Sequence, residues 1–123
     1  GGYVLKDADN AQIVLIGTGS ELSLALEAQS KLADQGIAAR VVSMPCFELF
    51  DAQSDAYKEE VLGGSLPKVA VEAGIRFGWD QYVGSDGGFV GMNGFGASAP
   101  YKDLYQHFGI TAEAVVDAAL KRV

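Results

Sequence analysis

Chemistry in this chain has few places to reside, and the first is Gly17-Thr18-Gly19-Ser20-Glu21-Leu22. A glycine turn that feeds the amino end of a helix offers unpaired N–H groups and a positive dipole end to an anion. A dinucleotide fingerprint needs more. Leu22 stands where a third glycine would allow close helix–strand packing, and no Asp or Glu terminates the following strand at Ser43 to take a ribose hydroxyl. Glu21 also puts a carboxylate in the first helical turn, where it supplies about 0.3–1 kcal/mol of dipole stabilisation itself and repels a phosphate. No Gly-Lys-Ser/Thr follows, so the turn is not a P-loop. A structural turn is favoured, with a nucleotide or small-ligand site at Gly17 to Ser20 as the alternative.

The second place is beyond the strand ends, where open α/β sheets usually hold ligands: Ser43, Glu48, Glu72 and Arg76. Glu72 and Arg76 are spaced to meet there. Acid–base work would require two acids whose surroundings separate their pKa values, so satisfied ion pairs or helix contacts are the favoured reading. His107 falls late in an amphipathic helix, where an imidazolium meets the negative dipole end, and this role is favoured over catalysis. Cys46 has neither another Cys nor a second His with which to bind a metal, and its apolar neighbours predict an inert buried thiol rather than a nucleophile. Trp79, Met92 and Phe95 read as packing or docking groups more readily than as a cofactor box.

The elements that must position these groups begin with Ile13-Val14-Leu15-Ile16, an aliphatic run with no polar face. Such a strand is covered on both sides, the habit of central strands in parallel sheets. Before it, Tyr3-Val4-Leu5 is β-prone, and the polar loop from Lys6 to Asn10 is long enough to make this first strand an antiparallel edge. From Ser20 to Gln35, Leu22, Ala25, Leu26, Ala28, Leu32 and Ala33 keep a 3.6-residue stripe; Gly36 stops the helix, and Ile37 to Ser43 completes a βαβ unit. Cys46 to Phe50 reads as a buried loop or short turn, after which Asp51 is placed to cap a helix running to Leu62 and closed by Gly63-Gly64. Lys68 to Glu72 is the next strand; Phe77 to Val83 is a short helix or turn with its aromatics inward. The spacing predicts strands near 3–5, 12–16, 39–43, 68–72 and 86–90, with Val14 and Val71 on adjacent strands.

Between Gly84 and Ala99 the glycine density is too high for regular structure. Pro100 then opens a helix with Tyr101, Leu104, Tyr105 and Phe108 at i, i+3, i+4 and i+7, stopped by Gly109. Thr111 caps a final helix whose apolar face is Ala112, Val115, Val116, Ala119 and Val123. Phe89, Val90, Met92 and Phe95 cannot all be buried by so irregular a stretch, so Gly84 to Pro100 is expected to be a docking surface.

With 123 residues the chain has the size of one domain and buries about two thirds of its unfolded surface without staples. Sixteen acidic against nine basic residues give a net charge of −7, and the basic residues are scattered. That excludes an extended nucleic-acid or anionic-membrane surface. One cysteine, with no membrane-length apolar run and no signal-peptide pattern, favours a reducing compartment such as the cytoplasm. The opening Gly1-Gly2-Tyr3 lacks an initiator methionine, which is read as a fragment of something longer, although a processed or recombinant start would look the same.

Five pieces in order carry a resemblance: Ile16-Gly17-Thr18-Gly19-Ser20-Glu21; Arg40-Val41-Val42-Ser43-Met44-Pro45; Val71-Glu72-Ala73-Gly74 with Gly78-Trp79; Gly94-Phe95-Gly96-Ala97-Ser98-Ala99-Pro100; and Phe108-Gly109-Ile110-Thr111. In that order and spacing, over nearly the whole chain, they resemble the carboxy-terminal domain of transketolase. The resemblance implies a three-layer α/β/α fold with a mixed five-stranded sheet, mostly parallel with its first strand antiparallel. It further implies a homodimeric cytoplasmic enzyme of the pentose phosphate pathway that moves a two-carbon ketol unit between sugar phosphates. That enzyme uses thiamine diphosphate and a divalent metal, magnesium or calcium. In the family the diphosphate and metal sit in the amino-terminal domain, a glutamate of the middle domain activates the thiazolium, and histidines and arginines of those two domains hold the sugar phosphates. None of those motifs occurs here, so residues 1–123 are expected to carry no catalytic, cofactor-binding or metal-binding residue, and the isolated chain to be inactive with a structural or dimer-supporting role. The alternative is a regulatory module that uses the Gly17 to Ser20 turn.

Overall fold

The computed structural model describes residues 1–72, 78–84, 86–91 and 109–123. Its centre is β2, Ile13–Gly17, in which all five residues are buried and Ile13 to Ile16 have no exposed surface. The sheet has five strands in the order β1-β3-β2-β4-β5, with β1 at Tyr3–Lys6, β3 at Ala39–Ser43, β4 at Lys68–Val71 and β5 at Gly88–Val90. β3, β2, β4 and β5 are parallel; β1 lies antiparallel on β3 at one edge, with a register slip between Val4 and Lys6. Val14 pairs with Lys68 and Gly17 with Val71, so the strands of Val14 and Val71 are neighbours, as the apolar pattern predicts.

Alternation along β2 splits the core in two. Ile13 and Leu15, with Val41, Val69 and Val71, pack under α1 (Leu22–Asp34) and α5 (Ala112–Leu120). Val14, Ile16, Val42 and Ala70 face the other way, against α2 (Phe47–Asp51), α3 (Asp55–Leu62) and α4 (Asp80–Val83). Helices on both faces leave no position along β2 for a polar side chain, which is why it reads as a continuous aliphatic run. Gly63 ends α3 at φ 77°, a left-handed conformation that side chains with a Cβ rarely adopt.

The structure corrects the sequence reading at several points. The expected loop at Cys46–Phe50 is a helix, α2; it buries Phe50 but leaves Leu49 59% exposed. Asp51 does not cap the next helix. It lies in the last turn of α2, while Ser54, in an extended conformation, accepts from the Tyr57 N–H at 3.2 Å and caps α3. Ala33 is exposed and Gln29 is buried in its stead, because the Gln29 amide donates to Ala39 O at 2.8 Å and to Lys6 O at 3.2 Å and so has its polar group satisfied inside. Val123 lies beyond the end of α5 and is 48% exposed, so it does not extend that helix's apolar face. Val90, expected to be only partly covered, is in the core at 8% exposure. The helix expected from Pro100 to Phe108, and the docking surface expected over 84–100 at residues 85 and 92–100, lie outside the described residues.

Candidate functional site

The carboxyl ends of the parallel strands meet at Glu72, one residue past β4. Its N–H donates to Val90 O at 3.1 Å, which carries the β4–β5 pairing one step further. The side chain then turns to α4: Glu72 Oε2 accepts from the Trp79 indole N–H at 2.6 Å, and Thr18 Oγ1 donates to Oε1 over a long 3.5 Å. Trp79 is 2% exposed, edge-on to Phe47 at 5.1 Å and to Tyr82 at 5.7 Å. An indole buried this deeply needs an acceptor, and Glu72 supplies it. Beside it the Tyr82 hydroxyl donates to Asp51 Oδ1 at 2.9 Å. Burial, and then the Asp51 carboxylate, push the Tyr82 phenol up to about 12.

Phe47, Asp51, Glu72, Trp79, Gln81 and Tyr82 line a cleft of about 250 Å³ at this corner. Its two carboxylates already serve an indole and a phenol, so the groups that line it tie α2, α4 and β4 together.

The Gly17 turn is closed from within. A Cβ on Gly17 would stand 2.9 Å from Leu22 Cα, so the close helix–strand approach that a dinucleotide site obtains from its third glycine is made here by the first. The Glu21 N–H donates to Thr18 O at 3.1 Å, the Ser20 hydroxyl to Glu21 Oε2 at 2.9 Å, and the Ser23 hydroxyl to Ser20 O at 3.0 Å. Glu21 is 6% exposed, which places a buried carboxylate where a phosphate would have to approach. This geometry supports the structural turn.

The remaining candidates are not brought together. Ser43 is buried within β3, opposite Gly17 and Tyr3, and Glu48 is exposed on α2. Cys46 is half-buried, a correction to the buried thiol expected from its neighbours, because its backbone opens α2 at the rim of the fold. Arg76, Met92, Phe95 and His107 lie outside the described residues, and with them the expected meeting of Glu72 and Arg76. Sequence reasoning missed the Glu72–Trp79 and Asp51–Tyr82 bonds; an aromatic with a polar edge in a run as apolar as this one was the available signal. Among the described residues no group of three or more His, Cys, Asp or Glu side chains is placed to hold a metal ion, and no helix is long and apolar enough to cross a membrane. With Glu21 at the helix start as well, the described residues do not fit a metal-bound diphosphate such as that of thiamine diphosphate.

Strand order, antiparallel edge and helices on both faces define an open three-layer α/β fold with one carboxyl-end corner closed by its own side chains. A family model described as the transketolase-like TK C-terminal domain matches residues 1–111, and the chain belongs to that family. It is 58% identical over 123 residues to the transketolase of Cereibacter sphaeroides and 50% identical over 123 residues to the chloroplastic transketolase of Solanum tuberosum. Those alignments cover 100% and 97% of this chain but 19% and 17% of the relatives, so the chain spans about a fifth of their length. Transketolase from Leishmania mexicana matches in structure with a TM-score of 0.92 at 48% identity, over 99% of this chain and 18% of that one. A split-gene transketolase, described as an inactive β4 tetramer, matches with a TM-score of 0.78 at 25% identity, over 98% of this chain and 41% of that one.

Proposed function

We propose that residues 1–123 form a single α/β domain, the C-terminal domain of a thiamine-diphosphate-dependent transketolase, and that its role in that enzyme is architectural. The observation that carries this reading is the 58% identity to a transketolase along the entire chain. The whole enzyme transfers a two-carbon ketol unit from ketose phosphates to aldose phosphates, with magnesium or calcium at the diphosphate. Its amino-terminal and middle domains bind the cofactor, metal and sugar phosphates and are the direct partners of this chain; the full-length enzyme is a cytoplasmic homodimer that binds neither nucleic acid nor membrane. This chain contributes no catalytic, cofactor-binding or metal-binding residue. Two observations support that division: the carboxylates at the carboxyl-end corner are occupied by Trp79 and Tyr82, and the split-gene relative carrying this fold is described as inactive.

A chimera tests the proposal. Residues 1–123 replace the matching C-terminal segment of the Cereibacter sphaeroides enzyme, and ketol transfer is assayed with thiamine diphosphate and magnesium. A folded dimeric chimera with activity near that of the parent is expected. A folded dimer with bound cofactor but no activity would show that this chain cannot serve as that domain.

A further inference from the structure

We propose that the cleft at the amino ends of β4 and β5 binds the phosphate group of a small molecule between Lys68, Arg122 and Ser65. This inference is independent of the transketolase reading and concerns the end of the sheet opposite Glu72. The cleft has a volume of about 470 Å³, and Val83 and Gly87 line it together with the two cations. A volume of that order suits a small organic ligand.

Charge is the first argument. The chain carries a net −7, and Lys31, Arg40 and Lys58 each stand beside a carboxylate. Among the described residues Lys68, Arg122, Lys6 and Lys121 have no carboxylate partner; Lys6 and Lys121 are exposed to water, whereas Lys68 is buried and Arg122 half-buried. Lys68 is 8% exposed, and its Nζ donates to Gly64 O at 2.7 Å and Leu66 O at 2.6 Å, which leaves its third N–H and its whole charge uncompensated. A cation withdrawn from water without a counter-charge is costly, and burial lowers the Lys68 pKa accordingly.

Preorganisation is the second. Arg122 Nε donates to Asp86 O at 3.0 Å and Nη1 to Ala118 O at 2.7 Å, while Nη2 bonds no described residue. The guanidinium lies against Gly88, where an added Cβ would stand 3.0 Å from Arg122 Cζ. A fork held this way loses little freedom on meeting an oxyanion. Phosphate offers enough acceptors for the free Arg122 and Lys68 donors and the Ser65 hydroxyl together, and its charge balances both cations. Asp86, at the exposed rim, is the one acid among the described residues that line the cleft, and it weakens the site.

Inorganic phosphate titrated into the full 123-residue chain at low ionic strength, followed by calorimetry and by the amide shifts of residues 65–68, 86–88 and 122, reads the site directly. Saturable binding with a Kd of about 1 mM is expected, made about tenfold weaker by Arg122→Gln, the change that loss of one charge-assisted hydrogen bond gives. Asp86→Asn should tighten it. Lys68→Gln should also weaken it, but that residue is buried; the half-exposed Arg122→Gln, with its melting curve as a folding control, is the deciding variant. No saturation by about 10 mM, ten times that Kd, or equal affinity in folded Arg122→Gln, would overturn the proposal.

Discussion

The Glu72 carboxylate stands 2.6 Å from the indole nitrogen of a tryptophan that is 2% exposed. Removing the acceptor leaves that N–H buried and unpaired, so Glu72→Ala should lower stability by about 1–3 kcal/mol, read as a fall in the urea midpoint at unchanged m-value. Glu72→Gln keeps an acceptor and should recover part of the loss; a Glu72→Ala midpoint equal to the parent's would show that the bond does not matter. Tyr82 offers a test by pH. Its folded pKa, about 12, is raised above the ordinary 10.0, so its contribution to stability is complete below pH 10 and disappears as pH rises toward 12. Absorbance at the phenolate band should show a tyrosine ionising near pH 12, and Tyr82→Phe should abolish that step. Asp7 has the opposite sign: its hydrogen bond from Arg40, then one from Ala8 N–H, hold its carboxyl below the usual 3.8. Its contribution is present above that pH and is lost as pH falls through the lowered value, so the stability difference between parent and Asp7→Asn should vanish in strong acid. That difference will be small, because the pair is partly exposed and screened by salt.

Helix ends show how far local sequence reaches. Thr111 is readable as a cap because it precedes an apolar stripe after Gly109, and it does accept from Ala114 N–H at 3.1 Å. Thr111→Ala should cost about 1 kcal/mol in chemical denaturation. Asp51 and Ser54 are both cap-type residues three positions apart, and the choice between them depends on α2 forming and on Tyr82 arriving to take the Asp51 carboxylate, both set by tertiary packing. Gln29 was hidden for the same reason: its burial is explained only by carbonyls of β1 and β3, ten or more residues away. Gly17 stands in a turn whose sequence favours a structural role, with a ligand site as the alternative, and its close approach to Leu22 supports the structural role. Gly17→Ala would force a Cβ to 2.9 Å from Leu22 Cα and should cost about 1–3 kcal/mol through overpacking; a thermal melt unchanged from the parent would contradict that account.

At the scale of the molecule, the layered fold was legible because period and length agreed: aliphatic runs of strand length alternate with amphipathic stretches ended by glycine, which permits few arrangements beyond a doubly covered sheet. The site was less legible. Titratable residues beyond the strand ends look alike in sequence whether they await a ligand or bind a neighbour, and only the distances from Glu72 to Trp79 and from Asp51 to Tyr82 separate the two cases. The central claim is that this chain supports an active site located elsewhere in its enzyme. Calorimetric titration of thiamine diphosphate with magnesium into the purified 123-residue chain, followed by a ketol-transfer assay on the same sample, tests it most directly. The account predicts no saturable heat and no turnover above the buffer blank. Saturable cofactor binding, or turnover proportional to the concentration of the chain, would contradict it.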